Sequence, residues 1–176
     1  MDDMLRTPAR APARADDRRQ RLWLLRHSMA AASSLLTIML VCTYVAFGAL
    51  SGVAGALYAV VALAGVAGFT VTFALGLNRR FADPSLTVAQ LLVAGTALAL
   101  LVFNGPEIRP LLIGIYAVAL IFGAFRLSTL PLLGVGACFV AQYTAAVALD
   151  LWLVQQRPAA PQDWMQVVHC AAMMAW

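Results

Sequence analysis

The chain has 176 residues, of which 62% are hydrophobic and only 11% charged. That apolar share exceeds what a water-soluble domain can hide from solvent, so a soluble enzyme or soluble binding module is excluded. The formal charge of +4 misleads as an average, because all 12 basic residues are arginine and the seven from Arg6 to Arg26 lie at one end of the chain.

The lead sets those arginines (Arg6, Arg10, Arg14, Arg18, Arg19, Arg21 and Arg26) among Pro, Ala and Asp, and has little means of building a core. Residues 1–20 are therefore expected to be disordered. Trp23 is the first aromatic residue and an apolar run follows directly, which favours contact with anionic lipid over nucleic acid.

Apolar runs occupy residues 29–50, 55–77, 86–103, 111–125 and 130–154. A helix needs roughly 20 residues, at about 1.5 Å each, to cross a hydrocarbon core of about 30 Å. The first, second and fifth runs meet this directly, the third does so if counted from Pro84, and the fourth only if residues 108–110 contribute. A last run, 164–176, is too short to cross. The first run is longer than the about 7–15 apolar residues of a signal peptide, so it is expected to stay in the protein. The expected fold is an all-α polytopic transmembrane bundle over residues 21–176, with five complete spans and part of a sixth.

Arginines close to short loops are retained on the cytoplasmic side. Alternate crossing puts the lead, Arg79, Arg80 and Arg126 inside, and Arg109 and Arg157 outside. The reading is a multi-pass membrane protein with a cytoplasmic N-terminus. Without the fourth span, Arg126 would fall outside and the alternation would fail.

The longest polar interruption between spans is GLNRRFADPSLTVAQ, residues 76–90. Arg79 and Arg80 supply its retention charge. Asp83 and Pro84 are expected to be the N-cap and first-turn proline that open the third span. Gln90 lies two turns inside that span, where an amide needs a partner on another helix.

Ionisable or polar groups within spans are suspects for function. Asp150, beside Trp152 near the outer end of the fifth span, reads as an interfacial anchor, with ligand binding as the alternative. Tyr143 lies on the same helical face, and with Gln142 is a candidate lining for an outward-facing cleft. Arg157 and Asp163 are further sensory candidates in a short loop, whereas Glu107 and Arg109 are expected to be solvated. His27 and His169 read as isolated packing or interface residues. The pairs Gly48/Gly52 and Ala64/Gly68 have small-xxx-small spacing and are expected to pack helices, within the chain or in a homodimer. Cys42, Cys138 and Cys170 form no C-x-x-C and have no histidine at metal spacing, so no disulfide framework or metal site is expected. No inverted repeat or pair of interrupted helices supports transport.

The run GLNRRFADPSLTVAQ, with LRHSMAAASSLL leading into the first span and IFGAFRLST closing the fourth, resembles the six-helix membrane region that precedes the catalytic domain in a group of bacterial diguanylate cyclases. The resemblance covers residues 22–154, and the loop is its most specific part. It implies a sixth helix returning to the cytoplasm and a following domain that condenses two GTP into cyclic di-GMP, using a G-G-[DE]-E-F signature, Mg²⁺ and a dimer. The chain contains no such signature and no paired acidic metal ligands, so no catalytic residue carries over and no cofactor is expected here. Mg²⁺ and GTP belong to the catalytic domain alone. The final run WMQVVHCAAMMAW is expected to be part of the sixth helix of a longer gene product. The expected function is the membrane anchor and signal-input module of a diguanylate cyclase. The alternative is a self-contained small membrane protein, structural or transporter-like, or a fragment without function.

Overall fold

A computed structural model describes the backbone of residues 10–175 and the side chains from Arg18 onward. Among the described residues all regular structure is helical: α1 (Arg10–Ala46), α2 (Gly52–Ala74), α3 (Thr87–Asn104), α4 (Arg109–Ala124), α5 (Thr129–Leu149) and α6 (Pro161–Ala175). The expected all-α bundle is present. Five segments are long and apolar enough to span a bilayer: Arg18–Ala46, Gly52–Ala74, Thr87–Asn104, Pro106–Ala124 and Thr129–Gln155. The chain is a multi-pass membrane protein.

The fourth segment reaches 19 residues because a 3₁₀ turn, Pro106–Ile108, runs directly into α4. The residues at 108–110 contribute as the length argument required. The fifth is extended by a π-helical turn, Asp150–Gln155, beyond the end of α5. At 15 residues, α6 is about 22 Å long, short of the about 30 Å core.

Disorder was expected through residue 20, whereas α1 is helical from Arg10. Ala and Arg are strong helix formers, and the apolar helix beyond provides a nucleus to which further turns add at little cost. Pro12 falls in the first turn, where the missing N–H is not needed. Residues 1–9 of the lead lie outside the described residues.

At the centre of the packing is α3, which lies against α2 on one side and α4 and α5 on the other; α1 packs on α2, and α6 on α4 and α5. Successive spans are antiparallel. One end of the bundle, the arginine-rich face, therefore carries the start of α1 and the α2–α3 and α4–α5 loops. The opposite face carries the other three connections. Apolar side chains on α1 and α2 such as Leu36, Met39, Val53 and Val60 are largely exposed, which in lipid costs nothing.

Helices in lipid gain no hydrophobic drive from one another, so they associate through close packing and hydrogen bonds. Tyr116 of α4 illustrates both. It is fully buried, meets Phe139 edge-on at 5.0 Å between ring centroids, and donates its hydroxyl to the Gly95 carbonyl at 2.8 Å. The lack of a side chain at Gly95 is what lets α5 approach α3: a Cβ there would fall 2.6 Å from Phe139 and against the Gln142 Oε1. The expected small-xxx-small pairs do not pack helices within the chain. Gly48 sits in the α1–α2 turn at φ 74°, and a Cβ at Gly52 or Gly68 would meet nothing. The tight approaches between helices fall at Gly55 against Val45, Gly65 against Val93, Gly95 against Phe139, and Gly123 against Leu91.

Gly95→Ala is expected to destabilise the bundle by about 1–3 kcal/mol through overpacking, whereas Gly68→Ala leaves it unchanged. Thermal unfolding of the two variants in the same detergent checks the contrast.

Candidate functional site

Buried polar groups gather at both ends of the bundle. At the face opposite the arginine-rich one, Arg109 opens α4 and Asp150 follows α5, 41 residues on, and the two form a salt bridge with each residue only 2% exposed. Arg109 Nε also donates to the Val102 carbonyl at 2.9 Å. The Asp150 carboxylate takes a second donor from the Gln155 amide. In an α-helix it is the residue four ahead that lies one turn above. The π-helical i→i+5 pattern puts Gln155 in that position instead.

Gln155 carries the network onward. Its Oε1 accepts from Arg157 Nε at 2.7 Å, and the Arg157 guanidinium grips both oxygens of Asp163, at 2.8 and 3.2 Å. Asp163, in the first turn of α6, also accepts from the Ala160 backbone N–H at 2.8 Å. The hydrogen bonds from Arg157 first, and then that from Ala160, hold its carboxyl below the usual carboxylate range. A single chain of charge-assisted bonds thus joins α4, the π turn, the α5–α6 connection and α6. Beside it lies a cavity of about 390 Å³, with Asn104, Gln162 and Gln166 also on its walls.

Three expectations change here. Arg109 is buried and paired, whereas solvation was expected; Glu107 is exposed as expected. Asp150 is the centre of a buried pair, and Trp152, 73% exposed, is left to face the lipid. Tyr143 is fully buried, so it lines no open cleft: its ring meets Tyr116 edge-on and its hydroxyl reaches Gln166 Oε1 at 3.5 Å. Gln142 points elsewhere, donating to Thr96 Oγ1 of α3 at 3.0 Å. Its own Oε1 is buried without a hydrogen-bond partner among the described residues.

At the arginine-rich face, Gln90 has the interhelical partner it required. His27 of α1 bridges Gln90 Oε1 at 3.0 Å and Thr70 Oγ1 at 2.9 Å, tying α1, α2 and α3. His27 is therefore not isolated, and its ring lies 5.3 Å from that of Phe73. Asp83 does not cap α3. Its carboxylate is taken by Ser85, through the backbone N–H at 2.9 Å and the hydroxyl at 2.6 Å, and Leu86 at φ 50° then leads into the helix at Thr87. The residue that organises the loop is Asn78, fully buried. It donates to the Pro84 carbonyl and accepts from Gln20 of α1, while Gln20 also donates to the Phe73 carbonyl. Arg79 donates to Gln20 at 3.3 Å, and Arg80 is exposed.

No group of three or more metal-ligating side chains exists among the described residues. The opposite-face network has instead the character of a relay, in which altering one charge unbalances the rest.

Breaking one half of a buried pair strands the other charge. Arg109→Leu and Asp150→Leu are each expected to cost about 3–5 kcal/mol, and the double variant less than their sum. Unfolding equilibria of the four proteins in one detergent system measure the coupling. Because Asp163 has a lowered folded-state pKa, its stabilising contribution is present above the unfolded value of about 4 and is lost as pH falls through the folded value. Fluorescence of the adjacent Trp164 should stay constant from about pH 8 to 5 and change only below about pH 4, and Asp163→Asn should abolish that acid transition. Neither a family model, nor a curated protein, nor a solved structure matches the chain.

Proposed function

We propose that the chain is the membrane-embedded input module of a diguanylate cyclase, in a bacterial inner membrane with its N-terminus in the cytoplasm. The observation that carries an input role is the ionic chain that runs from the buried Arg109–Asp150 pair through Gln155 and Arg157 to Asp163, which fastens the start of α6 to α4 and α5. A polar or charged signal reaching the adjoining cavity competes for those bonds and shifts α6 relative to its neighbours. The assignment to diguanylate cyclases rests on the loop GLNRRFADPSLTVAQ. Ten arginines on the proposed cytoplasmic side against two on the other support the orientation. In the signalling unit, two copies associate through the membrane helices, and movement of α6 alters how two GTP-loaded, Mg²⁺-bound catalytic domains meet.

The test is a set of chimeras joining the chain at Trp176, in several helical phases, to an active diguanylate cyclase domain. Cyclic di-GMP is measured in cells lacking other cyclases. At least one phase should give output that changes severalfold with Asp150→Asn, while the 176-residue chain alone, with GTP and Mg²⁺, should make no cyclic di-GMP. Output indifferent to Asp150→Asn in every phase, with the variant inserted as well as the parent, would overturn the reading.

A further inference from the structure

A second cavity, of about 160 Å³, lies between α1, α2, α3 and α4 on the arginine-rich half of the bundle. Arg26 and Arg126, both exposed, line it, and it extends along α3 from Thr87 to Ala97. Ten residues of helix make that about 15 Å, half of a hydrocarbon core. Much of its wall is apolar, with Val66, Phe69, Val93, Ala94 and Phe122 among the lining residues. Since α1 packs on α2 and α4 on α3, the seam between α1 and α4 faces the bilayer.

We propose that this cavity binds an anionic lipid, taking the phosphate headgroup between Arg26 and Arg126 and one acyl chain along the seam between α1 and α4. The charge balance points to an anion, because Arg26, His27 and Arg126 line the cavity and no carboxylate does. Neither arginine is in an ion pair among the described residues. Partial desolvation, and then the proximity of Arg26, makes Arg126 less basic than an ordinary arginine, and an anion shared by the two would offset their repulsion. His27 is committed to Thr70 and Gln90, so the guanidiniums are the charged donors left for a ligand, and their planar geometry suits phosphate. A free inorganic anion would leave the apolar depth of the cavity unused. An acyl chain fills it and enters from the side without crossing water. The inference depends on the multi-pass architecture and not on the diguanylate cyclase reading.

The experiment is native mass spectrometry of the whole 176-residue chain released from nanodiscs that contain equal amounts of phosphatidylglycerol and phosphatidylcholine with the same acyl chains. Phosphatidylglycerol should be retained by about tenfold or more over phosphatidylcholine, as two arginines beside an anionic headgroup would give. The preference should vanish in the R26Q/R126Q double variant and survive Arg19→Gln, on the same helix but outside the cavity. Ala94→Phe, which blocks the depth of the cavity, should weaken retention while leaving helicity unchanged. On the unmodified protein, a phosphatidylglycerol with a photoreactive group in its acyl chain should crosslink to α1 and α4 at residues lining the seam. Equal retention of the two lipids, crosslinks spread over all helices, or displacement by inorganic phosphate at lipid-like concentration would each overturn the proposal.

Discussion

A polar group in hydrocarbon has only the protein to bond to, and that constraint shapes this fold more than any apolar contact. The apolar faces of the helices are as content against lipid as against each other. What makes one arrangement preferable is the set of polar groups that only that arrangement satisfies. Arg109 is the strongest case, since its guanidinium is buried and its partners come from α3 and from the turn after α5. Separating those elements would strand a charge in the membrane. The Tyr116 hydroxyl on the Gly95 carbonyl and the His27 bridge between Thr70 and Gln90 work in the same way at other depths.

The two faces use this constraint differently. At the face with the α5–α6 connection, opposite charges are paired with one another and the network closes on itself through Asp163 and the Ala160 N–H. The arginine-rich face instead has hydrogen bonds of Gln20, His27, Asn78 and Gln90 clamping α1 to α2 and α3, with no carboxylate among them and cations left at the rim. At one end both arginines are paired with carboxylates, and the other has positive charge directed outward. An asymmetric bundle of this kind has a preferred way up in a membrane whose leaflets differ in charge.

Long apolar runs bounded by arginines announce the spans, because length and hydropathy in a bilayer depend on local composition alone. The need of Gln90 for a partner was legible for a related reason, since an amide two turns into a span has no solvent. Which residue would answer it was not: His27 lies 63 positions away and approaches through the packing of α1 on α2. The same limit hid the Arg109–Asp150 pair. Short loops usually leave their charges in water, and nothing local distinguishes an arginine that turns inward from one that does not. Asp83 misled because Asp-Pro has two local uses, as a helix cap or as a turn closed on the residue two ahead. The left-handed Leu86 that decides between them carries no sequence signal.

The π turn at Asp150–Gln155 makes the length of this segment part of its chemistry. A π turn holds one more residue than the α turn it replaces, so it behaves as an insertion absorbed without breaking the helix. Relaxing it to α-helix would turn Gln155 by about 100° around the axis and take its amide away from Asp150. The carboxylate would keep Arg109 and lose its link to Arg157 and α6. The register of this one segment thus decides whether the carboxylate of Asp150 is tied to the last helix or to Arg109 alone.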